Sequence, residues 1–221
     1  MELSYRLSNA IEGRQGVVAL DDLMFAHIEG TAFLVVKAPN SGEVWNEGSK
    51  QTITWASQST DSKKSLLIYL STDNGLSWKK IATAKNVGSK IWKIPTKRYV
   101  SKQALIKICL NQKIPLCDTS DAVFTINKAP VAEAGVKQKV IVGTEVVLNG
   151  NASYDADNGP AAITYKWVQT RGPQVALNDA DTATPIFIPT LKGTYVFGLV
   201  VNDSSAESKQ DKVTVSVKAA P

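Results

Sequence analysis

Between residues 163 and 217 the apolar side chains alternate with period two, and this pattern leaves few folds open. Ile163, Tyr165 and Trp167 share one face. So do Tyr195, Phe197, Leu199 and Val201, and so do Val213, Val215 and Val217. Successive side chains of an extended strand point to opposite faces, so strict alternation marks strands buried on one side. The stretch Asn149-Gly-Asn-Ala-Ser-Tyr-Asp155-Ala-Asp157-Asn-Gly159 between strands is built of residues that tolerate positive φ or bond their own backbone.

A second set of strands is expected upstream. Ile53 and Trp55 alternate, as do Leu66, Ile68 and Leu70, then Ile106, Ile108 and Leu110. With Ile91-Trp92-Lys-Ile94-Pro95 and Phe124-Thr-Ile126, this predicts about seven short strands separated by turn signals, a β-sandwich. The expected fold is all-β: two tandem immunoglobulin-like β-sandwiches, at residues 38–128 and 131–218, after an N-terminal strand remnant at 1–37. Asn127-Lys-Ala-Pro-Val131 reads as a short linker, in which Pro130 restricts itself and Ala129.

The order of the downstream pieces resembles the polycystic-kidney-disease (PKD) domain over about residues 130–218. The carrying residues are the Asn149–Gly159 turn, Tyr165-Lys-Trp167, Gly193-Thr-Tyr-Val-Phe and the Asp211–Val217 strand. The resemblance implies an extracellular spacer or binding module and no catalyst. Some PKD-like domains bind calcium through a Ser-x-Asp-x-Asp turn, a late aspartate and groups from the entry linker. Ser153-Tyr-Asp155-Ala-Asp157 and Asp203 match the first two elements, and Asn127 is the side chain offered by the linker. The resemblance therefore implies a calcium set of Asp155, Asp157, Asp203 and Asn127. The alternative is that Asp155 and Asp203 only cap their own turns.

Residues 38–128 resemble immunoglobulin-like modules of secreted bacterial and archaeal proteins and the Ser/Thr-rich cell-wall family of yeast glycosyl-phosphatidylinositol-anchored proteins. The basis is the order of Trp55, Asp73-Asn-Gly75, Trp78, Trp92-Lys-Ile-Pro95 and Ser120-Asp-Ala-Val-Phe-Thr-Ile126. Residues 16–25, Gly-Val-Val-Ala-Leu-Asp-Asp-Leu-Met-Phe, are similar to the closing strand of MAM and other concanavalin-like jelly rolls; an N-terminal hairpin of the next domain is the other reading. Met1 reads as an added or internal start, Val217–Pro221 as an interdomain linker, and the chain as a piece of a longer prokaryotic surface protein.

Charge is unevenly placed. The chain carries 25 basic and 20 acidic residues, and residues 38–130 hold 14 of the former against 6 of the latter, a local +8. Such a segment suits an anionic polysaccharide or a plain solvated lysine face. Arg98 is its single arginine, and lysine is the weaker choice for bidentate phosphate or base recognition. No specific nucleic-acid binding is expected, and no apolar run is long enough for a membrane span.

The motifs point away from catalysis. There is no Gly-x-Ser-x-Gly, no Cys/His pairing and no phosphate-binding glycine loop. His27 is the lone histidine, a surface or packing residue rather than a ligand. Ser71-x-Asp73-x-Gly75-x-Ser77-Trp78 matches the Asp-box of sialidases, present here once, and reads as a turn staple. Cys109 and Cys117 are the two cysteines, either a disulfide closing a hairpin in an oxidising compartment or two free thiols in a cytosolic one. Trp55 and Trp92 fall on core faces. Trp45 lies in an opening turn, so its ring is either core or an exposed platform for a sugar. The expected role is a non-catalytic extracellular spacer or adhesion region contacting polysaccharide or another surface protein. The runner-up is an accessory carbohydrate-binding region of a secreted hydrolase.

Overall fold

The computed structural model describes residues 32–58 and 64–220. The jelly-roll strand expected at 16–25 and His27 lie outside the described residues. Within them the fold is all-β, with two separate hydrophobic cores.

The first core lies between two sheets. One is three-stranded: β1 (Phe33–Ala38), β3 (Lys50–Gln58) and β6 (Ser89–Lys93), with β3 in the middle. The other runs β2 (Val44–Asn46), β9 (Phe124–Asn127), β7 (Ser101–Leu110), β4 (Ser65–Ser71), β5 (Lys79–Lys85), and β8 (Cys117–Thr119) also pairs with β7. Nine strands appear where the sequence suggested about seven. The extra ones are short elements that carry little periodicity of their own, such as β2 and β8. Ile53, Leu66, Ile68, Ile94, Ile106, Ile108 and Ile126 are fully buried, the alternating residues of the sequence pattern.

The sandwich begins before residue 38, which corrects the expected 1–37 boundary. β1 pairs antiparallel with β3, Val36 opposite Trp55, and inserts Leu34 and Val36 into the core. Phe33-Leu-Val-Val-Lys37 is an alternating segment whose inward residues need a sheet to cover them, and β3 supplies it. The Val36 N–H also donates to Asp118 Oδ2 at 2.7 Å, tying β1 to β8 across the sandwich edge.

The second core is built by β10 (Gln138–Ile141), β15 (Asp211–Lys218), β14 (Gly193–Asn202) and β12 (Thr164–Arg171), in that sheet order, with β10 parallel to β15. A two-stranded ladder of β11 (Val146–Val147) and β13 (Ile186–Phe187) accompanies it. Tyr195, Phe197, Leu199 and Val201 are fully buried, and Val213, Val215 and Val217 are buried alongside them. Polar atoms among them find partners, as buried ones must. Tyr195 Oη donates to the Leu191 carbonyl at 2.7 Å and the Trp167 indole N–H to the Thr182 carbonyl at 3.1 Å.

Trp45 is core. It is 6% exposed, with its ring centroid 4.9 Å from that of Phe124 and 6.4 Å from that of Trp92. Parallel pairing of β2 with β9 turns it inward, so it is no sugar platform. Truncating a buried Trp typically costs about 3–5 kcal/mol. Trp45→Ala is expected to lower stability by about that much in urea unfolding; a change below about 1 kcal/mol, the usual surface value, contradicts the buried placement.

Candidate metal centre at the sandwich junction

β9 ends at Asn127 in the first sandwich, and Lys128-Ala-Pro-Val131 leads directly into the second. Asn127 and Asp203 are both fully buried. The Asn127 amide N–H2 donates to Asp203 Oδ2 at 2.9 Å and to Asn46 Oδ1 at 3.0 Å. Asn46, on β2, donates in turn to the Ser205 carbonyl at 2.9 Å and accepts from Ser205 Oγ at 2.9 Å. The Lys128 N–H reaches Asp157 Oδ2 at 3.2 Å, and Lys102 Nζ reaches the Asn158 carbonyl at 3.2 Å. Five hydrogen bonds thus tie the β2, β7 and β9 ends of one sandwich to the Asp155–Gly159 and Asp203–Ser205 turns of the other.

Asp203 and Asp155 also serve their own turns. Asp203 Oδ1 accepts from the Ser205 and Ala206 N–H groups at 2.8 and 2.7 Å, an Asx-type cap. Asp155 Oδ1 accepts from the Asp157 N–H at 3.4 Å. Asn158 sits at φ 55° and Gly159 at φ 24°. A Cβ at Gly159 would collide with Asp155 Oδ2 and come within 2.9 Å of the Asp203 Cβ, so the two carboxylates flank one glycine.

Turn capping leaves a remainder. Asn127 Oδ1, Asp155 Oδ2 and Asp157 Oδ1 are buried and have no hydrogen-bond partner. All three are oxygens, and all belong to the set of Asp155, Asp157, Asp203 and Asn127. Buried polar atoms without partners are rare and each needs a cause. Burial, above all, with the nearby Asp157 and Asp203 carboxylates, pushes the Asp155 carboxyl up to about 6. Among the described residues Asp, Glu, His and Cys alone do not gather in groups of three or more suited to a metal. The three aspartates therefore do not form such a group by themselves; the Asn127 amide oxygen beside them is a further donor suited to hard cations.

Two other expected features are in place. Cys109 and Cys117 are joined by a disulfide between β7 and β8. In the Asp-box hairpin, Ser71 Oγ donates to Asp73 Oδ1 at 2.6 Å and the Ser77 N–H to the same oxygen at 2.9 Å. Gly75, at φ 87°, lies against the Trp78 ring. The Ser71 hydroxyl, then the Ser77 hydroxyl and N–H, hold Asp73 down at about 2. Sequence reasoning missed Asn46 and Ser205, because a lone Asn near a strand end and a serine in a turn carry no signal until two domains meet.

Residues 134–217 match the family model described as "K319L-like, PKD domain". The mouse Dyslexia-associated protein KIAA0319-like protein is 34% identical over 94 residues, which cover 42% of this chain and 9% of that protein's length. The solved PKD domain from KIAA 1837 protein is similar at 32% identity over 41% of this chain and 89% of its own, with a TM-score of 0.35. Fibronectin(III)-like modules of Clostridium thermocellum CbhA align over 85% of this chain and 95% of theirs at 15% identity, TM-score 0.36. The second sandwich is thus a PKD-type immunoglobulin-like domain by sequence as well as by fold. With the PKD relative murine, the expected prokaryotic origin finds no support.

A depressed folded-state pKa means stability that is present above the unfolded value and lost as pH falls through the folded one. The Asp73 contribution is therefore full at neutral pH and fades between about 4 and 2. Asp73→Asn is expected to lower the melting temperature at pH 7, with the gap from wild type closing as pH approaches 2; a gap independent of pH contradicts the ionised staple.

Proposed function

We propose that residues 32–220 are a non-catalytic spacer in the extracellular part of a larger protein, and that calcium at the junction holds the two sandwiches at one angle. The observation carrying this reading is the trio of buried, partnerless oxygens on Asn127, Asp155 and Asp157. Calcium takes six to eight oxygen ligands at about 2.3–2.6 Å, from carboxylates, amides, carbonyls and water. The carboxylates of Asp155, Asp157 and Asp203 and the amide oxygen of Asn127 are the residues that would hold it. The bound ion would supply positive charge where three carboxylates repel one another.

The donors come from both sides. Asn127 closes the first sandwich, whereas the aspartates belong to the second. An ion shared among them resists bending at the linker, which is what a spacer needs to set the reach of its flanking domains. The disulfide fits an oxidising, extracellular compartment. No helix among the described residues is long and apolar enough to cross a membrane. The mouse relative extends well beyond the matched stretch, which suits a segment within a larger chain.

Anything that binds only the folded state stabilises it by mass action, by about 2.7 kcal/mol at a hundred times Kd. Calorimetry in calcium is expected to give a melting temperature several degrees above that in chelator. In Asp155→Asn the calcium response should vanish, while the chelator value equals or exceeds wild type because one repelling charge is gone. Identical wild-type curves in calcium and chelator leave these aspartates with turn capping alone.

A further inference from the structure

The Asp-box hairpin folds Trp78 back over the outer face of the sheet that contains β4 and β7. There the Lys107 ammonium lies 4.1 Å from the Trp78 ring centroid and 5.6 Å from that of Tyr69. Tyr69 and Lys107 are cross-strand neighbours. Both rings and the lysine are half-exposed. Among the described residues no carboxylate or carbonyl meets this ammonium, so its three donors are committed to no protein acceptor.

From this point a cleft of about 310 Å³ extends along β7 to Asn111, Gln112, Pro115 and the Cys109–Cys117 disulfide. At about 3.3 Å per residue, Lys107 and Asn111 are about 13 Å apart along the chain, room for a short oligomer. The disulfide fixes the loop that forms the far wall, so that wall is ordered before any ligand arrives. Asn111 uses one N–H on Ser65 Oγ, at 3.3 Å, and Gln112 Oε1 accepts from Lys64 at 3.3 Å. The Gln112 NH2 group and Asn111 Oδ1 keep donors and an acceptor for a ligand.

We propose that this cleft binds an acidic oligosaccharide, with Lys107 meeting a uronate or sulfate group, the Trp78 and Tyr69 rings lying along the sugar, and Asn111 and Gln112 bonding hydroxyls. Besides Leu67, Leu110, Pro115 and the disulfide, the lining holds two aromatic surfaces, two amides and one cation. Aromatic rings match the C–H faces of pyranoses, and amides match paired hydroxyls. The surrounding +8 charge of residues 38–130 draws polyanions toward this sandwich. An acidic peptide fits less well, because no arginine fork stands in the wall to clamp a side-chain carboxylate. The cleft's β7 residues start at Lys107, five residues along the strand from Lys102, which contacts the junction, so the cleft stands apart from the calcium reading.

The test is an NMR titration of the full 15N-labelled chain, using tetragalacturonate, maltotetraose and hexaglutamate. Tetragalacturonate is expected to shift the Trp78 indole and the Asn111 and Gln112 side-chain amides at low millimolar concentration, with maltotetraose much weaker. Lys107→Met keeps the aliphatic stem on the rings and should weaken binding about tenfold, the weight of one charge-assisted contact. Gln112→Ala should weaken it less, while Lys90→Met, an equal loss of charge elsewhere, should leave it unchanged. Absent shifts, shifts spread evenly over surface lysines, equal effects of Lys107→Met and Lys90→Met, or equal binding of hexaglutamate each overturn the site.

Discussion

The molecule turns on a buried amide between two domains. Asn127 has no exposed surface, and its N–H2 group is shared between Asn46 of the first sandwich and Asp203 of the second. A desolvated amide or carboxylate that loses its partner costs about 1–3 kcal/mol, more if charged. Bending at the linker would break several such bonds together, so the angle between the sandwiches is set by polar satisfaction rather than by shared apolar area. The two hydrophobic cores stay separate, one ending at Ile126 and the other starting at Ala132. Asn127 stands in the gap.

The same economy explains why aspartates collect there. A turn at a domain end needs acceptors for its own N–H groups, and Asp203 meets that need with Oδ1. Its second oxygen is left over and faces Asn127. Asp155 likewise spends one oxygen on its own turn, Asp157 spends one on the Lys128 N–H of the linker, and each keeps one without a partner. Ordinary turn chemistry thus gathers acceptors in excess of protein donors, and the excess is what a hard cation takes up.

Much of this was legible in the sequence, but unevenly. The Tyr195–Val201 and Val213–Val217 alternations mark inward residues directly, because a strand buried on one face has no other way to write itself. The Asp73 hairpin was equally plain, since its hydrogen bonds are local. The start of the first sandwich was harder: Phe33–Ala38 is an edge strand whose place depends on β3, far along the chain. Trp45 shows the same limit, because a three-residue strand has too little periodicity to reveal its inward side. At the junction, Asp155, Asp157, Asp203 and Asn127 came through resemblance to a family, whereas Asn46 and Ser205 follow only from the meeting of two domains.

If the junction is a cation-braced clamp, the spread of distances between the far ends of the two sandwiches must respond to calcium. Both native cysteines are in the disulfide, so nitroxide labels can be placed at Val87→Cys and Leu191→Cys, exposed positions away from the junction. Double electron–electron resonance between them should give one narrow distance distribution in calcium and a broader one in chelator, and the calcium-dependent narrowing should be absent in Asp155→Asn. Distributions of equal width in calcium and chelator would contradict the account.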